Sequence, residues 1–268
     1  MTGSAFRVDP ELAREACAFA CVLAEEVMQR LRTAAQEPHS LVVKARGDWA
    51  SALDAEIEAS LRSRIAERFP QHGFLGEEGG GREGVDGAPT WIVDPIDGSM
   101  NFLRGYPQYA VSIAMVQHGD ALAGVVADPN RGELFSAAAG QGAWLNGRRL
   151  QVARTLVLEQ AVAGTVFPKP GAAFMPEYLA EFARVIDRTA GVRRAGSMAL
   201  ELAYLAAGRL DVFWERGMGP WDAAAGVLLV REAGGEVFVL DGEPWLSSAR
   251  IAASVAPLSL AWREILAG

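Results

Sequence analysis

The first 70 residues contain two runs of apolar positions at helical spacing. The first run steps by three and four behind the helix-start signal Asp9-Pro10-Glu11: Leu12, Ala16, Phe19, Leu23, Val27 and Leu31. The second run steps by four from a start near Ser51: Ile57, Leu61, Ile65 and Phe69. Because Pro38 and Pro70 follow these runs, we predict two amphipathic helices that end before the two prolines.

The middle of the chain changes to short apolar runs separated by turn residues, which is typical of strands. Residues 109–129 predict two strands around a turn at His118-Gly119-Asp120. Residues 133–150 predict two more, with Asn146-Gly147 as a hairpin-turn signal. The rest of the chain mixes both types, with helices predicted after Pro176, from Ser197, from Trp221 to about Ala233 and at the C-terminus, and strands predicted at 210–215 and 236–240.

Composition narrows the class of protein. The chain has 268 residues, 50% of them hydrophobic, which suits one large domain or two closely joined ones. Its apolar runs are short, and its N-terminus lacks a secretory pattern, so we expect no membrane-spanning segment and a cytoplasmic location. The net charge of −8 argues against nucleic acid as the main ligand, because no basic stripe could neutralise phosphates.

Cysteine and histidine do not form a recognisable catalytic pattern. Cys17 and Cys21 lie four residues apart in the first predicted helix, and we expect two small buried side chains rather than a zinc site or a disulfide. None of the three histidines, His39, His72 and His118, lies in a metalloprotease or nucleophile-elbow motif. Carboxylates are therefore expected to carry any catalysis.

Acidic residues gather in three short motifs: Gly76-Glu77-Glu78-Gly79, Asp94-Pro95-Ile96-Asp97-Gly98-Ser99 and Trp221-Asp222. Asp54 in the second helix is a possible fourth member. Two carboxylates as close as those of Asp94 and Asp97 repel each other unless a proton or a cation lies between them, and hard cations such as Mg²⁺ prefer such oxygen ligands. Each motif alone is equally compatible with an ordinary structural role as a turn, a solvated loop or a helix cap. Spacing alone therefore leaves open whether these carboxylates form a metal site or have only structural roles.

Five segments in order along the chain carry a family resemblance: GEE at 76–78, WIVDPIDGSMNF at 91–102, GAWLNG at 142–147, GS at 196–197 and WDAAAG at 221–226. With these segments the chain resembles the inositol monophosphatase family of Mg²⁺-dependent, lithium-sensitive phosphatases. The resemblance implies an α/β (α+β) fold, a layered αβαβα sandwich of the inositol monophosphatase and fructose-1,6-bisphosphatase type, and a homodimer. We expect residues 1–150 to form an N-terminal α+β half that carries most metal ligands, and residues 151–268 to form a C-terminal α/β half that supplies Asp222 and substrate contacts. No long linker appears in the sequence, so we expect the two halves to pack as one compact unit.

The resemblance implies two to three Mg²⁺ ions per subunit. Glu77, Asp94 and the backbone carbonyl of Ile96 match the ligands of the first ion. Asp94, Asp97 and Asp222 match those of the second, and a weaker third ion would depend on Glu77, which also belongs to the catalytic group.

The resemblance also assigns the groups around the substrate. Gly98 and Ser99 match positions whose amides hold the phosphate, and Asp54 with Ser99 matches the pair that activates the attacking water. The family has threonine at position 99, but serine keeps the hydroxyl. Glu215 and Gly196 match substrate-binding positions, Glu215 as an acceptor from polyol hydroxyls.

The function implied is hydrolysis of inositol monophosphate or a similar small polyol phosphate by metal-activated water. Alternatives with the same chemistry are histidinol phosphate, a sugar bisphosphate or a nucleotide phosphate, although Glu215 and the segment GVRRAGS favour the inositol branch. A different alternative is a moonlighting regulatory binding protein. Met100 and Met198 depart from the family pattern. One hypothesis is that both border the substrate cleft and make it more apolar. The other is that they have only a packing role, Met100 at a strand-helix corner and Met198 at a helix start.

Overall fold

The computed structural model describes residues 9–36 and 41–268, so Pro38 and His39 lie outside the described residues. The helices are α1 Pro10–Ala34, α2 Ala52–Arg68, α3 Ser99–Leu103, α4 Met175–Arg188, α5 Met198–Ala206, α6 Pro220–Glu232 and α7 Ser259–Ala267. The strands of the first half are β1 Leu41–Ala45, β2 Asp48–Ser51, β3 Gly73–Gly76, β4 Gly80–Arg82, β5 Thr90–Asp97, β6 Ala110–Gln117, β7 Asp120–Asp128, β8 Glu133–Ala138, β9 Ala143–Leu145 and β10 Arg148–Arg149. Those of the second half are β11 Val162–Gly164, β12 Gly191–Arg193, β13 Val212–Arg216, β14 Gly235–Val239 and β15 Arg250–Val255.

The strands form a two-stranded hairpin and two larger sheets. The hairpin is β1-β2, the eight-stranded sheet has the order β10-β9-β8-β7-β6-β5-β3-β4, and the five-stranded sheet has the order β12-β11-β13-β15-β14. Within the eight-stranded sheet β5 pairs in parallel with β3 and antiparallel with β6. The strand that carries Asp94 and Asp97 is therefore an interior strand, hydrogen-bonded on both sides.

Helices lie on both faces of each large sheet. Helices α1 and α2 pack against the eight-stranded sheet, α5 and α6 lie between the two sheets, and α4 and α7 cover the five-stranded sheet. Among the described residues, three separate apolar cores fill the spaces between these layers. This is the αβαβα sandwich expected from the sequence. No helix in the described part of the chain has the length and apolar composition needed to cross a membrane.

The first two predicted helices are confirmed at their starts, whereas the helix predicted after Pro176 already begins at Met175. The Asp9 side chain accepts a hydrogen bond from the Glu11 N–H at 2.9 Å and caps α1. In α2 the cap residue Ser51 and Asp54 bond to each other, because Asp54 Oδ2 accepts from the Ser51 N–H at 2.8 Å and from its hydroxyl at 2.7 Å. Cys17 and Cys21 are only partly buried against the core beneath α1.

The strand prediction needs several corrections. Strands β1 to β4, β11 and β12 are all short, three to five residues each, and the sequence did not predict them. Residues 133–150 form three strands instead of two, since a turn with Gly140 and Gly142 at positive φ separates β8 from β9, and Asn146-Gly147 joins β9 to the short β10. Strand β15, which the sequence did not predict, lies between β13 and β14. Its residues 251–255 are buried without a break, so the alternation that marks a half-buried strand is missing.

Candidate active site

A β-bulge at the end of β5 directs the two aspartates of the DPIDG motif. Asp94 pairs with Ser112 and Asp97 with Ala110, and the register shifts between the two pairs. Side chains three positions apart in a regular strand point to opposite faces of the sheet. Here the bulge removes Pro95 and Ile96 from regular pairing, so that both carboxylates can point to one side.

The start of α6 adds a third carboxylate to this pair. Oxygen atoms of Asp94, Asp97 and Asp222 all lie within 4.8 Å of one another, and all three residues are buried. Asp222 lies in the first turn of α6, where its Oδ2 accepts a hydrogen bond from the Gly219 N–H at 2.6 Å. The eight-stranded sheet and the helix layer behind it thus meet at an acidic centre.

Asp97 is also bound by the start of α5. Its Oδ2 accepts hydrogen bonds from the Ser197 hydroxyl at 2.5 Å and the Ala199 N–H at 2.7 Å, and its Oδ1 accepts from the Met198 N–H at 3.2 Å. Such donors at a helix start favour a negative charge. Asp97 therefore links β5 to α5 as well as to the cluster.

Burial and mutual repulsion raise the pKa values of the cluster. Burial, followed by the charges of neighbouring carboxylates, holds the pKa of Asp94 and of Asp222 well above the usual range. Burial raises the pKa of Asp97 to about 6, although its hydrogen bonds from α5 oppose the rise. Buried oxygen donors that repel each other in this way suit a hard divalent cation, so the residues present fit Mg²⁺.

Glu77 borders the cluster but does not join the three close carboxylates. Its Oε1 lies 3.5 Å from the Nζ of Lys44 on β1. Burial raises the pKa of Glu77 to about 7, against the effect of Lys44, and the Glu77 charge contributes to the raised pKa of Asp94. The Ile96 carbonyl, which the resemblance assigned to the same ion, accepts the Ser99 hydroxyl at 2.8 Å.

The structure brings Asp54 and Ser99 together across 45 residues of sequence. Ser99 Oγ lies 2.6 Å from Asp54 Oδ1, while the other oxygen of Asp54 is bound by Ser51 at the start of α2. The Asp54 carboxylate is buried and oriented, and the Ser99 hydroxyl at the start of α3 is partly exposed. The pair can pass a proton between a buried acid and a group bound beside the Ser99 hydroxyl.

Gly98 and Gly196 approach each other closely. Gly98 has φ +92°, and a Cβ atom there would lie 3.0 Å from the Gln108 carbonyl oxygen and 3.1 Å from that of Gly196. The Asn101 side-chain amide, which the sequence analysis missed, connects the same segments by donating to the carbonyls of Gln108 at 2.7 Å and Ala195 at 2.9 Å. Only its place in the motif WIVDPIDGSMNF could have indicated Asn101.

Glu215 lies at the end of β13 in a buried polar group. Its Oε2 accepts a hydrogen bond from the Val166 N–H at 2.7 Å, next to Thr165, whose hydroxyl lies 2.9 Å from that of Tyr178. Burial holds the pKa of Glu215 well above its usual range. The residue is 2% exposed, so only a small part of it is open to a ligand.

Glu58 is a second contact that the sequence analysis missed. It lies one helical turn after Asp54 on α2, and its carboxylate accepts hydrogen bonds from the backbone N–H groups of Glu78 and Gly79, in the stretch 76–79 that is called the GEE segment from here on. The spacing of four between Asp54 and Glu58 was a usable signal, because it places both on one helix face. Its partners lie about 20 residues away, which no local pattern indicates.

Comparison with known proteins agrees with this geometry. The sequence profile of the inositol monophosphatase family matches residues 12–267. The chain is 47% identical over 201 residues to an inositol-1-monophosphatase of Rhizobium meliloti (strain 1021), covering 74% of this chain and 76% of the relative. It is 46% identical over 194 residues to the Nus factor SuhB of Pseudomonas aeruginosa, covering 71% of this chain and 72% of that protein.

A solved structure agrees over nearly the whole length. The crystal structure of the extragenic suppressor protein suhB from Bartonella henselae matches with a TM-score of 0.88 and 36% identity, over 93% of this chain and 97% of that one. The layered fold, the acidic centre and the family profile all lead to the same assignment. This chain therefore belongs to the inositol monophosphatase family and is a phosphatase of the inositol monophosphatase type.

Proposed function

We propose that the chain is a Mg²⁺-dependent phosphomonoesterase that hydrolyses inositol monophosphate or a similar small polyol phosphate. One observation carries the proposal: three buried carboxylates, with oxygen atoms within 4.8 Å of one another, lie beside a hydrogen-bonded Asp54–Ser99 pair. An acidic centre of this kind attracts divalent cations, and the adjacent pair can manage the proton of a water molecule.

The ligands proposed for two to three ions are Glu77, Asp94, the Ile96 carbonyl, Asp97 and Asp222. When bound, Mg²⁺ supplies a Lewis acid that activates water and neutralises charge on the phosphoryl group. The protein supplies fixed oxygen donors, since Asp222 and Asp97 are each oriented by backbone N–H groups at a helix start.

Asp54 and Ser99 would manage the proton of the attacking water. Asp54 Oδ1 takes the hydroxyl proton of Ser99 across the 2.6 Å hydrogen bond, which leaves Ser99 Oγ able to accept a proton from water. The water oxygen forms the new bond to phosphorus as the ester P–O bond in line with it breaks. The leaving alkoxide keeps the bonding electron pair and takes up a proton from solvent, and the proton held by Asp54 returns to solvent through Ser99. A covalent phosphoenzyme is not needed in this scheme.

The substrate contacts proposed are the amides of Gly98 and Ser99 for the phosphate, and Gly196 and Glu215 for the polyol. The positive φ of Gly98 supports the first assignment, because it turns the chain sharply between β5 and α3. The bond from the Val166 N–H supports the second, because it fixes the direction of the Glu215 carboxylate.

The experiment is a phosphate-release assay on the purified chain with Mg²⁺, with and without Li⁺. The substrates are an inositol monophosphate, histidinol phosphate, a sugar bisphosphate and a nucleotide phosphate. We expect the highest kcat/KM on the inositol ester, inhibition by Li⁺, and loss of activity in Asp94→Asn. Asp187→Asn is the matched control, because the Asp187 side chain is 80% exposed on α4 and should leave the rate unchanged. Equal rates for wild type and Asp94→Asn would contradict the proposal.

A second candidate function is regulatory binding, favoured by the 46% identity to a protein named Nus factor SuhB. The two functions can coexist on one chain. A folded, metal-binding preparation that releases no phosphate from any ester of the panel would favour the regulatory function alone. We also propose a homodimer in the cytoplasm, to be tested by the mass measured in solution and by cell fractionation.

A further inference from the structure

The buried carboxylate of Glu58 has no part in the roles assigned above. It is 3% exposed, and it accepts hydrogen bonds from the Glu78 N–H at 2.7 Å, the Gly79 N–H at 2.9 Å and the Arg62 guanidinium at 3.0 Å. A buried charge is costly unless several donors satisfy it. Two of these three donors are backbone groups of the GEE segment, so Glu58 acts directly on that segment.

The GEE segment is shaped around this carboxylate. A Cβ atom on Gly76 would lie 2.2 Å from Glu58 Oε2, and a Cβ atom on Gly79 would lie 2.7 Å from Glu58 Oε1. Both distances are far below a van der Waals contact. Glycine at both positions therefore lets the backbone on either side of Glu77 close over the Glu58 carboxylate.

This arrangement fixes the backbone of Glu77 from both directions. On one side Gly76 is the last residue of β3, where it pairs with Val93, the neighbour of Asp94 on β5. On the other side the amides of the next two residues are held by Glu58. The Glu77 side chain also has a charged partner, the ammonium of Lys44 on β1, which lies 3.5 Å from its Oε1.

Helix α2 carries both Asp54 and Glu58 on one face. Asp54 is bonded to Ser99, beyond the end of β5, and Glu58 to the GEE segment beyond the end of β3. A single rigid helix thus determines the separation between the Asp54–Ser99 pair and Glu77. A substitution at Glu58 removes hydrogen bonds between α2 and the GEE segment and leaves the Asp54–Ser99 hydrogen bond in place.

We propose that Glu58 is a positioning residue, which holds the GEE segment so that Glu77 can serve as a metal ligand. The proposal rests on the proposed function, since it takes Glu77 as a ligand. Glu58 itself touches neither substrate nor metal. Groups that orient a metal ligand typically change metal affinity by about 10- to 100-fold when they are altered.

The test compares Glu58→Gln with wild type by calorimetric titration of Mg²⁺, and of Mn²⁺ as a second divalent cation. Glutamine keeps the size of the side chain but offers one oxygen in place of two, so one of the two backbone amides loses its acceptor. We expect the Kd for the cation to rise by about tenfold or more, and kcat at saturating Mg²⁺ to stay near the wild-type value. Glu56→Gln is the matched control, because Glu56 lies on the same helix with its side chain 61% exposed and paired with Arg30.

A double-mutant cycle separates positioning from general damage to the fold. If Glu58 acts through Glu77, the substitution Glu58→Gln should change the cation Kd little in a Glu77→Gln background. Equal losses in both backgrounds would overturn the proposal, as would an unchanged Kd in the single variant. A wild-type chain that binds no divalent cation would overturn the proposed function together with this one, whereas normal binding by wild type and Glu58→Gln alike would overturn only the role of Glu58.

Discussion

Removing the metal should destabilise the protein more at alkaline pH than at acid pH. The perturbation is a chelator added at about pH 5.5 and at about pH 8, with matched samples in Mg²⁺. In the metal-free protein the carboxylates of the cluster must stay protonated or repel each other. Raising the pH removes those protons and leaves the repulsion, so metal-free stability should fall between these two values.

The size of the effect is worked from two carboxylates of the acidic centre, Glu77 and Asp97. Burial raises the pKa of Glu77 from 4.5 to about 7 and that of Asp97 from 3.8 to about 6. Both folded-state values exceed the unfolded ones, so the stability associated with each group is complete below the unfolded pKa and is lost as the pH rises through the folded pKa. Each group changes the free energy of unfolding by about 1.4 kcal/mol for each pH unit in that window. Between about pH 5.5 and 8 this slope applies to Glu77 for about 1.5 pH units, up to its folded-state pKa of about 7. It applies to Asp97 for about half a pH unit, up to its folded-state pKa of about 6. Together the two groups give roughly 2–3 kcal/mol.

The assay is urea unfolding, followed by tryptophan fluorescence, at both pH values with chelator and with Mg²⁺. In chelator Glu77 and Asp97 together should contribute roughly 2–3 kcal/mol to the fall in the free energy of unfolding between the two pH values, and the other buried acids with raised pKa values should add to that fall. A cation at one hundred times its Kd adds about 2.7 kcal/mol, and it should add more at the higher pH, where fewer protons compete for the ligands.

The difference between Mg²⁺ and chelator is the quantity to compare. Burial also raises the pKa of Glu201, to about 8, but Glu201 is not one of the proposed ligands, so its titration contributes to both samples and largely cancels. Stabilisation by Mg²⁺ that is equal at the two pH values, or larger at the lower one, would refute the reasoning. So would Asp94→Asn stabilised by Mg²⁺ as strongly as wild type.

Three further predictions concern catalysis and specificity. Ser99→Ala should lower kcat by about 10²-fold or more and leave the calorimetric Kd for Mg²⁺ unchanged, whereas Ser99→Thr, which keeps the hydroxyl, should keep the wild-type rate. Full activity in the alanine variant would contradict the role of Ser99 in proton transfer. Glu215→Gln should raise KM for inositol monophosphate but not for an aryl phosphate without hydroxyl groups, and an equal rise for both esters would argue against a polyol contact. Met100→Thr combined with Met198→Ala should change the ranking of kcat/KM across the ester panel, because Met100 is 38% exposed at α3 and Met198 opens α5 beside Asp97. An unchanged ranking would limit both methionines to packing.

Local signals predicted the helices well. The period of apolar residues and the Asp9 cap located α1, and Ser51 with its apolar run located α2. These features depend on residues within one or two turns of each other, so a single sequence contains them. The same holds for the turn between β6 and β7 at His118, which has a positive φ.

Contacts between segments that are distant in the sequence were harder to predict. Strand β15 could not be identified from alternation, because both of its faces are buried, and Glu58 is explained only by a loop about 20 residues away. The bulge after Asp94 is a further case, since Asp-Pro suggests a turn, but the pairing with β6 decides where the side chains point. The division at residue 150 and the individual roles of the site residues stay predictions.

The central claim is that Asp94, Asp97 and Asp222 hold a divalent cation, and a crystal grown with Mn²⁺ tests it most directly. The measurement is the anomalous difference map at the manganese edge. We predict a peak bounded by oxygen atoms of these three residues, with Glu77 beside it. A well-ordered site without a peak, in crystals soaked well above the Kd measured for Mn²⁺ in solution, would contradict the claim.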